Sequence, residues 1–200
     1  MTAKPQDAKQ MAEEAIGNKK NLAALVKALS TGSRRERQQA ASAIALVAKA
    51  APAEVAPHIG DLVDALNRPE AQTRWEALEA LALMVPQDAR SCEKAIEGAE
   101  TALFDEDSGP VRLSAMRFLC AYGATTENRS EKIWPLIDEG IQCYHGDLEF
   151  QDMLLAVTDF STGKLSPSVK ESLAERMRFD AENGKGALKK RAAQIVGNLK

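Results

Sequence analysis

The sequence predicts an all-α fold built from repeated pairs of helices, and three observations lead to this prediction. Apolar residues recur along nearly the whole chain with the three- and four-residue spacing of amphipathic helices. Of the 200 residues, 44% are hydrophobic and only 4% are aromatic, a composition that favours closely packed helices over a β-sandwich. One long polar residue opens each second helix at a nearly constant interval, which indicates a solenoid.

The segments follow in chain order. Residues 1–20 are predicted to form a short helix or tail, because alanine and charged residues alternate with helical spacing over 5–16. Residues 21–200 are predicted to form a single repeat domain. Its approximate repeats are 21–50, 52–86, 88–123, 127–162 and 166–200.

Each repeat has the same pattern of an apolar first helix, a polar turn and a second helix rich in small apolar residues. The apolar stretches of the first helices are 22–29, 59–66, 96–103, 133–141 and 173–177. The polar residues that open the second helices are Arg37, Arg74, Arg112, Gln151 and Lys189. Their spacings of 37, 38, 39 and 38 residues give the repeat its period.

Charge and cysteine content exclude several classes of protein. Lys and Arg number 26 against 29 Asp and Glu, and this net charge of −3 argues against nucleic acid or an anionic membrane as the main partner. Cys92, Cys120 and Cys143 form no paired motif, which favours reduced cysteines and a cytoplasmic location. The first 15 residues have no apolar h-region, so we expect no signal peptide, and without a run of about 18 apolar residues no membrane span is predicted.

Nothing in the sequence predicts a catalytic, metal or cofactor site. His58 and His145 are the only histidines, and they lie in different repeats without cysteine or carboxylate at ligand spacing. Gly184–Lys185–Gly186 indicates a turn and no phosphate loop. We therefore expect no enzyme activity, no metal and no cofactor.

The repeats resemble HEAT repeats, in which a leucine-rich first helix leads through an Asp-containing turn to Val-Arg and a second helix rich in small residues. The third repeat carries this pattern most fully, in Asp105, Asp107, Val111, Arg112 and Ala115. The resemblance covers residues 22–200. It implies a right-handed α-solenoid of the HEAT (armadillo-like) type, with about five helix pairs after a short N-terminal helix.

Two details of the HEAT pattern lead to further expectations. Pro57 and Pro135 stand at the same register of two first helices, nine residues before Leu66 and Tyr144, which predicts a shared kink. The Asp-Arg ladder that such families use between repeats is expected only at the third repeat. The turns of repeats one and two lack the aspartate, and repeats four and five replace the arginine with Gln151 and Lys189.

The second helices are expected to line the concave, partner-binding surface. We number positions along each second helix from its opening residue and rotate by 100° per residue. The residues 3, 4, 7 and 10 positions later are then expected to face the core, and those 2, 5 and 9 positions later lie on the opposite side. Those opposite positions are Gln39, Ser42, Leu46, Glu76, Glu79, Leu83, Ser114, Arg117, Ala121, Met153, Ala156, Phe160, Arg191, Gln194 and Asn198. The predicted partner-binding residues among them are Glu76, Glu79, Leu83, Arg117 and Phe160. Trp75 and Trp134 are expected to pack within the array.

The function that this surface favours is a non-catalytic scaffold or adaptor that binds a protein or peptide partner. The alternative is a nucleic-acid-binding or DNA-repair protein of the HEAT-like type, but its basic concave groove is not evident in the sequence. A small enzyme or lyase subunit is a further alternative without a supporting motif. Apolar residues near the C-terminus, Val196 and Leu199, leave self-association open.

Overall fold

The computed structural model describes residues 7–200, and every regular element in that part of the chain is a helix. A short helix, α1 (Ala8–Ala15), comes first. The first helices of the pairs are α2 (Lys19–Thr31), the split pair α4 (Pro52–Val55) and α5 (Ile59–Ala65), α7 (Ile96–Leu103), α9 (Glu127–Cys143) and α11 (Pro167–Asn183). The second helices are α3 (Arg34–Ala50), α6 (Ala71–Cys92), α8 (Gly109–Gly123), α10 (Phe150–Ser161) and α12 (Gly186–Asn198).

The chain divides into two compact units after Ala99, within α7. The first unit contains α1 to α6, and the second contains α8 to α12. The predicted assignment of residues 21–200 to one domain with five repeats stays a prediction. The beginning of the predicted N-terminal segment, residues 1–6, lies outside the described residues.

Side-chain caps fix where several helices begin. Ser33 accepts from the Glu36 backbone N–H, and the Glu36 carboxylate accepts from the Ser33 N–H at 2.7 Å, which completes a capping box before α3. Thr126 and Ser166 cap α9 and α11 in the same way, each accepting a backbone N–H three residues later. Polar turns therefore end one helix and start the next, as the sequence pattern indicates.

The two prolines at matching register do not have the same effect, so the prediction of a shared kink is wrong. Pro57 lies in a 3₁₀ turn, Ala56–His58, that separates α4 from α5. Pro135 lies inside α9, which continues across it. A further break occurs in α6, where Asp88 leaves the helical region at φ −154° and ψ 78° and its carboxylate accepts from the Ser91 N–H at 3.0 Å.

Small and aliphatic side chains form the core of the first unit. Helix α1 packs on α3, and α3 packs on both α2 and α6. The fully buried side chains of this unit include Ala15, Ala40, Ala43, Ile44, Val47, Leu62, Leu78 and Leu81. Alanine on the facing helix surfaces allows the close approach that the composition predicts.

The second unit has larger core residues. Helix α8 packs on α9 and α10, while α12 packs on α10 and α11. The buried side chains include Leu103, Met116, Phe118, Leu119, Tyr122, Ile133, Ile137, Phe160, Leu173 and Met177. Within residues 7–200, none of the helices combines the length and the apolar character that crossing a bilayer requires.

Polar contacts join consecutive second helices more widely than the sequence predicts. Arg37 donates to Glu70, the residue that precedes α6, through two nitrogens. Arg112 lies 3.6 Å from Glu149, which precedes α10, and Arg191 donates to Gln151. Outside the third repeat these contacts use Glu70 and Gln151 as acceptors and no turn aspartate, so the expectation of an Asp-Arg ladder at the third repeat alone stays a prediction.

Candidate functional site

In the first unit, the second helices α3 and α6 present a surface of mixed polarity. Leu46 and Leu83 are the exposed large apolar side chains on these two helices, at 41% and 39% exposure. Between the helices, the Ser42 hydroxyl donates to Glu76 at 2.7 Å and accepts from Gln72 Nε2 at 3.1 Å. We call this part of the first unit the α3–α6 surface.

Two of the predicted binding carboxylates, Glu76 and Glu79, lie half-buried on α6 one turn apart. The hydrogen bond from Ser42 fixes the orientation of the Glu76 carboxylate, and Leu83 extends the same helix face by one further turn. Trp75 on α6 is half-buried. The α3–α6 surface therefore offers fixed acceptors beside exposed leucines.

In the second unit, the predicted apolar anchor Phe160 is a core residue. Its ring is 1% exposed and lies against Gly123 of α8, where an added Cβ would come within 2.9 Å of Phe160 Cε2. The expectation that this ring is an exposed apolar anchor for a partner is therefore wrong. The same correction applies to Ser114, Met153 and Ala156, all of which are buried.

The reason for this error lies in the register of α10. Counting from Gln151 places offsets +2, +5 and +9 at Met153, Ala156 and Phe160. The exposed residues of that helix are one position earlier, at Asp152, Leu155 and Asp159. Phe150, Leu154 and Val157 are buried and set the rotation of the helix, so the polar residue at its start is a poor reference.

A groove of about 240 Å³ lies between α8 and α10. Its floor consists of Cys120, Ala121, Ala124, Ala156 and Phe160, and its rim of Arg117, Asp152, Leu155 and Asp159. The small floor residues create the hollow, because alanine leaves space where a larger side chain would fill the contact between the helices. We call this cavity the α8–α10 groove.

The rim of the α8–α10 groove carries two carboxylates, those of Asp152 and Asp159. Neither Asp152 nor Asp159 makes a side-chain hydrogen bond or ion pair within residues 7–200. They are seven residues apart, so they lie about 10 Å apart along one face of α10. Leu155 stands between them with 46% of its surface exposed. The rim therefore combines two unpartnered acceptors with an exposed apolar side chain.

Cys120 on the groove floor is not a reactive thiol. Burial raises the pKa of the Cys120 thiol, and the nearby Asp159 carboxylate raises that pKa further. The thiol is therefore protonated at neutral pH, and the thiolate needed for nucleophilic attack does not form. The groove is equipped for binding, with carboxylates at its rim and apolar surface beneath.

The two histidines take part in local contacts. His58 lies 3.4 Å from Asp61 on the same turn, and His145 Nε2 lies 3.2 Å from the Asp180 carboxylate and packs on the Phe150 ring. Among residues 7–200, no group of three or more His, Cys, Asp or Glu side chains is arranged to hold a metal ion.

Comparison with solved structures identifies the fold. An engineered protein matches with a TM-score of 0.75 and 19% identity, over 96% of this chain and 90% of that chain. A designed armadillo repeat protein in complex with the peptide (KR)4 matches with a TM-score of 0.75 and 16% identity, over 96% of this chain and 91% of that chain. A computationally designed armadillo repeat protein for modular peptide recognition matches with a TM-score of 0.70 and 16% identity, over 96% and 92% of the two chains.

No protein-family model and no curated protein sequence matches this chain. These three structural matches, each below 20% identity, establish the architecture that the repeat period and the all-helical structure indicate. The prediction of the fold class is confirmed. This chain is an all-α solenoid with HEAT/armadillo-like repeats.

Proposed function

We propose that this protein is a non-catalytic scaffold that binds a basic peptide segment of a partner protein on its second helices. The observation that carries the proposal is the α8–α10 groove, where the Asp152 and Asp159 carboxylates flank Leu155 and have no side-chain partner among residues 7–200. A lysine or arginine can place its aliphatic stem on Leu155 and the alanine floor while its charged end reaches a carboxylate.

The contacts predicted from the sequence extend this proposal. We propose Glu76, Glu79 and Leu83 on the α3–α6 surface, and Arg117 at the rim of the α8–α10 groove, as partner contacts. Leu155 takes the place of Phe160 as the exposed apolar anchor, because its side chain is accessible. Rigid helices keep the ordering cost of binding small on the protein side.

The designed proteins with a similar structure support the choice of a basic peptide as the ligand. One was solved with an alternating Lys-Arg peptide, and another was designed for modular peptide recognition. The cytoplasmic location and the absence of enzyme activity stay predictions from the sequence. The net charge of −3 agrees better with a basic peptide than with nucleic acid.

A direct test uses a fluorescein-labelled (KR)4 peptide and measures fluorescence anisotropy at low and at moderate salt. We expect saturable binding that D152N/D159N weakens at least about tenfold, since each charge-assisted hydrogen bond contributes about 1.5–3 kcal/mol. L155A should weaken binding by a smaller factor. The matched control is E106Q/D107N, which removes the same two charges from the exposed turn before α8.

Three results would count against the proposal. Equal weakening by D152N/D159N and E106Q/D107N would show that only overall charge matters. Absence of saturable binding by the wild type would reject a basic peptide as ligand. Tighter, salt-sensitive binding of a labelled DNA duplex under the same conditions would favour the nucleic-acid alternative.

A further inference from the structure

A second groove lies on the first-helix side of the second unit, between α9 and α11. It has a volume of about 660 Å³ and is separate from the α8–α10 groove. Its lining residues are Trp134, Asp138, Glu171, Ser172, Glu175, Arg176, Arg178 and Phe179. We call it the α9–α11 groove, and it has no role in the function proposed above.

Phe179 is an unusually exposed aromatic residue. Its side chain is 72% exposed on a helix whose buried residues, such as Leu173 and Met177, point to the opposite side. Glu171, Glu175 and Phe179 follow one another at four-residue steps, so they form one row along α11. Such a ring in a groove is a feature of binding surfaces, because exposure of a phenyl group to water is unfavourable.

Contacts between α9 and α11 fix which residues face each other. Ser168 lies 3.4 Å from Glu131, and Arg176 donates to Asp138 from Nε at 2.5 Å and from Nη2 at 3.0 Å. The two helices therefore run in the same direction, and facing residues differ by 37 or 38 positions in the chain. Trp134 consequently lies beside Glu171, at one end of the groove. Phe179 is eight residues further along α11, about 12 Å away.

Ion pairs neutralise only some of the carboxylates that line the α9–α11 groove. Of its three carboxylates, Asp138 is paired with Arg176 and Glu175 with Arg178. The Glu171 side chain makes no hydrogen bond or ion pair with any residue in the range 7–200. The end of the groove beside Trp134 therefore has one unneutralised negative charge next to an indole ring.

This arrangement favours one kind of occupant. A cation at the Trp134 end can form an ion pair with Glu171 and a cation–π contact with the indole, and a guanidinium stacks on aromatic faces better than an ammonium. A large apolar side chain can cover Phe179 at the other end. An extended peptide rises about 3.3 Å per residue, so about four residues span the 12 Å between the two ends.

We propose that the α9–α11 groove is a second docking site, which binds an extended segment with an arginine and a large apolar residue four positions apart. This inference does not depend on the α8–α10 groove. Together the two sites would let one chain bind two different segments, one on the second helices α8 and α10 and one on the first helices α9 and α11. The scaffold would then bridge partners as well as bind one.

The experiment uses the whole chain and the indole N–H signal of Trp134 in two-dimensional NMR. Trp75→Phe leaves Trp134 as the only indole, because the sequence has two tryptophans. The probe is the peptide acetyl-Arg-Ser-Gly-Ser-Leu-amide. Two matched peptides replace arginine with neutral citrulline, or leucine with alanine.

We expect a saturable shift of the Trp134 signal, with the citrulline peptide at least about fivefold weaker because it lacks the charge. E171Q should weaken the arginine peptide and leave the citrulline peptide unchanged. E182Q, which removes an exposed carboxylate of α11 outside the groove, should change neither. F179A should weaken the leucine peptide and leave the alanine peptide unchanged.

Several outcomes would overturn the inference. These are no saturable shift, equal binding of the arginine and citrulline peptides, or equal effects of E171Q and E182Q. A shift that depends on protein concentration without peptide, and that F179A removes, would assign the groove to a second copy of this chain. Failure of the (KR)4 test would leave these results unaffected, because the variants lie in different grooves.

Discussion

Arg37 and Glu70 form a hydrogen-bonded ion pair between the second helices α3 and α6. Arg37 Nε donates to Glu70 Oε2 at 3.2 Å, and Arg37 Nη2 donates to Glu70 Oε1. The Glu70 side chain is only 4% exposed. The bond from Arg37 is the main reason why the pKa of Glu70 lies below its ordinary value of 4.5.

The first prediction concerns pH. A carboxyl whose pKa is lowered by folding stabilises the protein above its unfolded pKa, and this stabilisation is lost as the pH falls through the folded pKa. We expect E70Q to be less stable than the wild type at pH 7 and to lose less stability between pH 7 and pH 3. Urea unfolding at both pH values measures this, with E182Q as the exposed control. An unchanged pH dependence in E70Q would contradict the role of this pair.

The second prediction separates the core from the candidate site. Phe160→Ala removes a buried ring, and we expect a loss of about 3–5 kcal/mol in unfolding free energy. Leu155→Ala on the same helix removes an exposed side chain, so the expected change is within about 0.5 kcal/mol. Chemical denaturation compares the two. Similar losses in both variants would mean that Leu155 belongs to the core.

The third prediction concerns the close approach of Gly163 to Ala124. An added Cβ at Gly163 would lie 2.6 Å from both the Cβ and the carbonyl oxygen of Ala124, which accepts from the Lys164 N–H at 2.8 Å. Backbone must shift to relieve this contact, so we expect G163A to lose about 1–3 kcal/mol. G197A is the matched control, since a Cβ there meets open space. It should be neutral or stabilising by up to about 1 kcal/mol. Thermal unfolding of both variants tests the contrast, and equal midpoints would contradict it.

The fourth prediction concerns a buried hydrogen bond between α9 and the start of α11. The Ser130 hydroxyl is fully buried and accepts from the Ser166 backbone N–H at 3.0 Å. Ser130→Ala leaves that N–H without a partner, and we expect a cost of about 1–3 kcal/mol. Exposed Ser172→Ala should have little effect. Amide hydrogen exchange at Ser166 should also become faster in S130A; protection equal to that of the wild type would contradict this assignment.

The fold could be predicted from the sequence because the period of the opening residues and the apolar spacing are properties of every repeat. The site could be predicted only in part. Leu83 is exposed as the helical count indicates, but Phe160 is not, because a one-residue change in the rotation of α10 exchanges buried and exposed positions. The rotation is set by where Phe150 packs, and that depends on a tertiary contact.

Two other features could not be predicted from the sequence, because they depend on contacts between residues far apart in the chain. Glu70 and Glu149 form ion pairs with arginines more than 30 residues away, and nothing in their local sequence marks them. The α9–α11 groove depends on the relative register of two helices. That register is fixed by pairs such as Arg176 and Asp138, which are visible only once the helices are packed.

The polar junctions between second helices also have a direction. Arg37 donates forward along the chain to Glu70, and Arg112 forms an ion pair forward with Glu149, whereas Arg191 donates backward to Gln151. Each junction is shared by two repeats, so a repeat moved by recombination carries only one half of each of its junctions. Its donors and acceptors must then match those of its new neighbours. The repeats are therefore not interchangeable parts, and grafted or duplicated copies will be tolerated only in orders that preserve this complementarity.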